Sequence, residues 1–236
     1  MVRFAFAIGR IRSLETQLLD ESRLLRLVDA HDLNAAFLIL REIPFHAAEI
    51  DKLDNSFDFE LLLKNELAAT KALIDSFAPG DELIKALWQK NDSNLALIDY
   101  IELLEKSASR LGNPLFSRYV AAYAALNRLK LDLLSGTHEP NAMIERFRYT
   151  VYARPVAIGL EELKKSGSLF GLEREIDNYL MMIMKNARYL SFGIEPLLGY
   201  LFAREHEVRM LRLVLTGKLL QVKVDQLRER LRTTYV

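Results

Sequence analysis

Two acidic residues come closest to a catalytic or metal-binding pattern in this chain. Glu173 and Asp177 are four residues apart, a spacing that places both carboxylates on one helix face, where they could share a metal ion or a proton. Arg174 lies beside them, and no Glu-x-x-His motif is present to complete such a site. We therefore predict that the pair belongs to a solvated helix face.

A short sequence near the end of the chain resembles part of a phosphate-binding loop. Thr216, Gly217 and Lys218 have the residue types that end such a loop, but the upstream glycine is missing. The tripeptide also closes a predicted helix, whereas phosphate loops open one. We expect Gly217 to stop this helix at the position where glycine is favoured.

The four histidines are spread along the chain without the spacing of metal ligands: His31, His46, His138 and His206. Glu205 and Glu207 flank His206 and favour its charged form, so we expect a surface histidine. Cysteine is absent, which excludes thiolate catalysis and sulfur-based zinc sites and fits a reducing compartment. The sequence thus predicts no catalytic residue, no cofactor and no metal site.

Composition excludes several further classes of protein. The chain has 236 residues, of which 50% are hydrophobic, enough for the core of one large or two small domains. Its 32 basic and 32 acidic residues give a formal net charge of +0, which argues against a nucleic-acid partner. The apolar start is too short for a secretory signal, and no uncharged run approaches the ~18 residues of a membrane-spanning helix. Any membrane association is expected to use a protein partner or a surface contact.

Helical periodicity dominates the chain, and no sustained two-residue alternation marks a strand. We therefore predict an all-α fold. The predicted helices span residues 4–19, 21–28, 33–42, 58–77, 83–90, 95–106, 116–134, 141–151, 156–165, 172–190, 194–216 and 225–232.

Capping residues and one polar link mark the boundaries between these helices. Residue types favoured at helix N-caps occur at Asp32, at Asp81, and at Asp92 or Ser93. The clearest change in residue composition is at the polar link 136–140, which contains glycine and proline. It predicts N-terminal helical units over residues 1–136 and a C-terminal helical unit over residues 137–236.

The predicted helix 194–216 has a strong apolar stripe. Four residues recur at spacings of seven, three and four and so share one face: Leu201, Val208, Leu211 and Leu215. Glu205 precedes Arg209 by four residues, the favoured order for an ion pair along a helix. This segment is predicted to pack as a single helix.

Three stretches carry a pattern shared with a known family. The closing stretch has an Ala-Arg-Glu start, a Glu-hydrophobic-Arg step, and a Leu-Arg-Leu run before Gly-Lys. These elements are Ala203, Arg204, Glu205, Glu207, Arg209, Leu211, Arg212, Gly217 and Lys218. The opening stretch has an aromatic-Ala start and an Arg-Ile-Arg step at residues 10–12, and residues 173–196 lead into the closing stretch. Together they resemble the family of C-type (or d-type) subunits of V-type and A-type rotary ATPases.

The resemblance implies both a fold and a mechanical role. The implied fold has related helical-bundle units packed around a pseudo-symmetric axis in a funnel-like body, although this chain is shorter than expected for a full member. The implied role is a non-catalytic socket that couples the central-stalk axle to the membrane proteolipid ring at the cytoplasmic face. The motor would use or form ATP while it transports protons or sodium ions. The expected partners are the axle proteins and the ring, with no small-molecule substrate.

Seven charged residues in the matching stretches are candidate partner contacts: Arg10, Arg12, Arg204, Glu205, Glu207, Arg209 and Arg212. The alternative for each is an intrahelical pair on a solvated face, which contributes only tenths of a kcal/mol. Two other function classes stay open at this point. One is a generic all-helical scaffold or adaptor, and the other is a helical enzyme with a polar cleft.

The substitution Leu211→Asp tests the apolar stripe. It exchanges a core leucine for an unpaired buried carboxylate, so we expect the last long helix to lose its docking and the chain to lose several kcal/mol of stability. Thermal unfolding followed by circular dichroism measures this effect. An unchanged melting temperature would show that the apolar stripe does not face the core.

Overall fold

The computed structural model describes residues 4–53, 55, 58–92, 96–136 and 138–236, and within them it contains thirteen α-helices and no strand. The helices are α1 (Ala5–Glu15), α2 (Glu21–Asp29), α3 (Leu33–Leu40), α4 (Pro44–Ile50), α5 (Phe59–Phe77), α6 (Glu82–Asp92), α7 (Leu97–Leu111), α8 (Pro114–Leu134), α9 (Pro140–Phe147), α10 (Ala153–Ser166), α11 (Phe170–Lys185), α12 (Glu195–Leu219) and α13 (Val224–Glu229). The predicted all-α fold is confirmed.

Most of the predicted helices are present, with ends that differ by a few residues. The prediction lacks α4, because it treats Pro44 only as a terminator of the preceding helix. In the structure Pro44 lies in the first turn of α4, where its missing N–H removes no intrahelical hydrogen bond. The predicted cap at Ser93 and the predicted helix start at residue 95 lie outside the described residues.

Two of the predicted N-caps are confirmed by their hydrogen bonds. Asp32 accepts a hydrogen bond from the backbone N–H of Ala35 at 2.8 Å and caps α3. Asp81 accepts one from the backbone N–H of Leu83 at 3.0 Å at the start of α6. Each carboxylate satisfies a donor that has no partner within its own helix.

The helices form two units. Unit 1 comprises Met1–Pro79 and Ala187–Val236, and unit 2 comprises Gly80–Asn186. The predicted groups 1–136 and 137–236 do not coincide with these units, because α8 packs against α11 within unit 2. As statements about related helical repeats, those groups and their pseudo-symmetric axis stay predictions.

Helix α12 is the central helix of unit 1. Helices α1, α3, α5 and α13 all pack against it, and most of its 25 residues are buried. The predicted stripe is at most 3% exposed, which confirms its inward orientation: Leu201, Val208, Leu211 and Leu215. Residues on other faces, such as Tyr200 and Met210, are also buried because neighbouring helices surround α12.

The end of α12 is held by close packing and by a buried lysine. Gly217 lies inside the helix, so the predicted stop at this residue is wrong. A Cβ at this position would lie 2.4 Å from Cδ2 of Leu227, so glycine permits the close approach of α13. The adjacent Lys218 donates hydrogen bonds from Nζ to the backbone carbonyls of Val28 and Ala30. Carbonyls at the end of a helix lack intrahelical partners and accept readily from an ammonium group, although burial lowers the pKa of Lys218 below its usual value.

Unit 2 contains helices α6 to α11, and α10 packs closely against α11. A Cβ at Gly159 on α10 would lie 2.6 Å from the Cα of Leu172 on α11. A backbone atom cannot move aside as the end of a flexible side chain can. Glycine at this position is therefore required by the space between the two helices.

The substitution Gly159→Ala is expected to destabilise the chain by about 1–3 kcal/mol, because the added methyl group overpacks the contact between α10 and α11. Urea unfolding measures the change in the free energy of unfolding. The matched control is Gly9→Ala, since Gly9 lies in α1 with nothing within 4 Å of an added Cβ. The control should be neutral or stabilising by up to about 1 kcal/mol. Equal losses in the two variants would contradict the spatial argument.

Candidate functional site

The charged residues of the closing stretch separate into a buried set and an outer set on α12. Arg204 and Glu207 are 2% and 5% exposed, whereas Arg209 and Arg212 are exposed and Glu205 is partly exposed. Residues three apart share a helix face, so Arg204 and Glu207 lie on one face of α12, and Arg209 and Arg212 share another. The side chains of Arg204 and Glu207 are therefore enclosed within unit 1.

Arg204 and Glu207 belong to a buried ionic cluster, which we define by His46, Glu66, Arg204 and Glu207. Each member is at most 5% exposed. His46 comes from α4, Glu66 from α5, and the other two from α12. The cluster therefore joins the consecutive helices α4 and α5 to α12, which lies much later in the sequence.

Both carboxylates of the cluster contact both of its cationic groups. His46 Nδ1 lies 2.5 Å from Glu66 Oε1, and His46 Nε2 lies 3.1 Å from Glu207 Oε1. Arg204 donates from Nη2 to Glu66 Oε2 at 3.1 Å and from Nη1 to Glu207 Oε1. The backbone N–H of Leu19 also donates to Glu207 Oε2 at 2.9 Å. This closed arrangement gives each buried charge at least two polar partners.

Burial and ion pairing oppose each other in setting the pKa values of the cluster. Burial alone would lower the pKa of His46, but its contacts with the carboxylates of Glu207 and Glu66 outweigh this effect and raise the pKa to about 9. Burial would raise the pKa of Glu207, but Arg204 and His46 outweigh it and hold this pKa below its usual value. His46 is therefore charged and Glu207 is ionised at neutral pH.

Arg12, another predicted contact residue, also has internal partners. Its guanidinium pairs with Glu15 at 2.7 Å and donates to the backbone carbonyls of Ala187 and Leu190 at 2.8 and 2.7 Å. Tyr235 donates from its hydroxyl to Glu15 at 3.2 Å. Arg12 and Glu15 thus connect α1 to the segment before α12 and to the end of the chain.

The exposed predicted contact residues lie on two helices of unit 1. Arg10 is exposed on α1, and Arg209 and Arg212 are exposed on α12. Arg212 Nε donates to both carboxylate oxygens of Glu60 on α5, at 2.9 and 3.1 Å. The two side chains of this pair are 46% and 56% exposed, so solvent screens the pair and a partner could compete for it.

The prediction that His206 is a surface residue is wrong. Its side chain is 5% exposed and lines a small cavity with Leu19, Met210 and Tyr235. The prediction uses only the glutamates next to His206 in the sequence. The burial of His206 is determined instead by the helices that pack on several sides of α12.

Sequence reasoning also missed His46 and Glu66 as members of a cluster. The burial of Glu66 could have been predicted, because Glu66 lies between Leu62 and Thr70 at helical spacing in the apolar stripe of α5. A carboxylate in such a stripe requires a buried cation as its partner. His46 carried no comparable signal, since the prediction lacks the helix on which it lies.

One of the two acidic residues considered as a metal or proton site forms an ion pair. Glu173 pairs with Lys130 of α8 at 3.1 Å. No group of three or more histidine, aspartate or glutamate side chains within the described ranges is placed to hold a metal ion. No helix in the described part of the chain combines the length and hydropathy needed to cross a membrane.

Comparison with models of protein families shows the family of this chain. Residues 7–98 and 99–230 match the family model of the ATP synthase (C/AC39) subunit. The chain belongs to this family. The predicted resemblance to the C-type subunits of A-type and V-type ATPases is confirmed.

Individual relatives agree with this family assignment. The chain is 25% identical over 203 residues to the A-type ATP synthase C subunit of Methanocaldococcus jannaschii, covering 83% of this chain and 48% of that protein. It is 22% identical over 199 residues to the A-type ATP synthase C subunit of Methanothermobacter thermautotrophicus, covering 81% and 52%. A 67-residue stretch is 40% identical to the V-type sodium ATPase C subunit of Enterococcus hirae, covering 28% and 20%. The chain spans about half the length of the first two relatives.

The substitution Arg204→Met tests the buried ionic cluster. It leaves two buried carboxylates with His46 as their remaining cationic partner within the cluster, so we expect a loss of about 3–5 kcal/mol in the free energy of unfolding. Urea unfolding at neutral pH measures the loss.

Arg212→Met is a matched control for this experiment. Both arginines lie on α12 and pair with a glutamate on α5, but the Arg212–Glu60 pair is exposed. The control should lose less than about 1 kcal/mol. Similar losses in the two variants would show that burial does not set the strength of these pairs.

Proposed function

We propose that this chain is a non-catalytic central-stalk component of a rotary A-type or V-type ATPase. In this proposal it seats the rotor axle on the membrane proteolipid ring at the cytoplasmic face. The observation that carries the proposal is the family match over residues 7–98 and 99–230. The motor would couple ATP hydrolysis or synthesis to the transport of protons or sodium ions, while this chain makes and breaks no covalent bond.

The packing of unit 1 supports a load-bearing role. A socket between an axle and a ring must transmit torque without unfolding or sliding. Helices packed at interior density resist such deformation. Helix α12 is surrounded by four other helices, and the buried ionic cluster fixes it to α4 and α5. Rotation of α12 against these neighbours would separate buried charges, which is strongly unfavourable.

We assign the proposed partner contacts to Arg10, Glu205, Arg209 and Arg212. Charged groups at the rim of an interface mainly set the specificity and the rate of association. Arg12 would contribute indirectly, because it holds the backbone of residues 187–190. Arg204 and Glu207 would likewise act through the position of α12.

Purification from native membranes tests the proposal. A tagged copy of this chain should retrieve the proteolipid ring and the other stalk proteins. Deletion of the chain should abolish ATP-driven ion transport in inverted vesicles, whereas the detached catalytic head should still hydrolyse ATP. Normal transport after deletion would contradict the proposal, and retrieval of unrelated proteins alone would favour a general scaffold.

Charge reversal in the same assays tests the proposed contact surface. The double variant Arg209→Glu and Arg212→Glu should weaken retrieval of the partner proteins and reduce ATP-driven transport, because it reverses the charge of the outer face of α12. The matched control Arg148→Glu changes another exposed arginine, which pairs with Glu145 at 3.3 Å in unit 2. A control variant as defective as the double variant would argue against this surface.

A further inference from the structure

The geometry around His46 favours its protonated form. Nδ1 lies 2.5 Å from Glu66 Oε1, and Nε2 lies 3.1 Å from Glu207 Oε1. A neutral imidazole has one N–H and one lone pair, so it would present the lone pair to one of these carboxylates. The imidazolium has an N–H on each nitrogen and suits both. Because Arg204 and His46 hold the pKa of Glu207 below its usual value, this arrangement favours the imidazolium form of His46 when α4 is docked.

We propose that the proton on His46 is a latch that docks helix α4 onto α5 and α12. With seven residues, α4 is too short to be stable in isolation and depends on tertiary contacts. Loss of the proton leaves two buried carboxylates of the cluster opposite Arg204 alone, and one ring nitrogen then repels a carboxylate oxygen. Helix α4 is released, while Arg204 still joins α12 to α5 through Glu66.

The other charged groups around α4 favour His46 as the titrating group. Helix α3 contains no titratable side chain. The surrounding charged or titratable residues are Glu66 on α5; Tyr200, Arg204 and Glu207 on α12; Arg41, which pairs with Asp51 at 3.3 Å; and Glu49, which pairs with Lys52. Burial raises the pKa of Tyr200 to about 12, so it stays neutral while His46 titrates. Carboxylates, ammonium groups and guanidinium groups ordinarily change charge outside this interval.

The direction of the pH dependence follows from the raised pKa of His46. The ordinary value is 6.5 and the value in the folded chain is about 9. The proton therefore stabilises docked α4 fully below pH 6.5, and this stabilisation is lost as the pH rises to about 9. Each pH unit within the interval lowers the docking equilibrium constant about tenfold, so the whole interval lowers it by about two to three orders of magnitude.

The latch also controls a surface groove. Ile50 at the end of α4 and the nearby Leu53 line a groove of about 330 Å³ together with Phe37 and Leu38 of α3. Release of α4 would remove one side of this groove. Deprotonation is therefore coupled to the shape of the surface, although the titrating group itself is fully buried.

Hydrogen exchange on the full chain tests the latch. Protection factors for residues 44–53, corrected for the intrinsic effect of pH, should fall about tenfold per pH unit between pH 6.5 and about 9. Residues 208–215 in the centre of α12 serve as the internal reference and should stay more strongly protected. Constant protection of residues 44–53 across this interval would overturn the proposal.

Two histidine variants separate the latch from general alkaline destabilisation. His46→Gln removes the titrating group, so protection of residues 44–53 should be low already at pH 6.5 and should not change up to about pH 9. His31→Gln is the matched control, because the His31 side chain is 82% exposed, and it should keep the wild-type profile. If His46→Gln fails to fold, an NMR titration of the wild-type imidazole decides the question. A pKa of about 9 for His46 supports the latch, and a pKa near 6.5 overturns it.

Discussion

Unit 1 depends on the requirement that two buried carboxylates be matched by two buried cations. Glu66 and Glu207 are enclosed by helices, and an unpaired charge in such a place is strongly unfavourable. His46 and Arg204 supply the matching charges from α4 and α12. Apolar packing holds these helices together at interior density. The ion pairs and hydrogen bonds impose distances and directions, so they fix how α4, α5 and α12 are oriented toward one another.

The cluster also changes how the family motif is understood. Most members of the closing stretch are buried, including Arg204, Glu207, Leu211 and Lys218. The closing stretch, one of the three on which the predicted resemblance is based, therefore largely encodes the interior of unit 1. The outer residues between these positions, such as Arg209, are exposed and lie outside that enclosed interior. A stretch of this kind mainly reflects packing within unit 1.

Hydrogen bonds from long cationic side chains to backbone carbonyls also connect the segments of unit 1. Lys218 binds two carbonyls at the end of α2, and Arg12 binds two carbonyls in the segment before α12. These carbonyls lie at or near the ends of helices, where hydrogen bonds within the helix are incomplete. A single long side chain thus satisfies several acceptors and connects segments far apart in the sequence. Such connections suit a protein proposed to carry mechanical load.

The sequence by itself determined the all-α fold, the location of most helices, the caps at Asp32 and Asp81, and the inward stripe that includes Leu211. These features depend on spacing within one or two helical turns, which the sequence displays directly. Only the tertiary structure decided that His206 is buried, that Gly217 continues a helix, and that Arg204 pairs with a glutamate 138 residues away. No local pattern encodes such a pair, because packing of distant helices decides which charged side chains are removed from water.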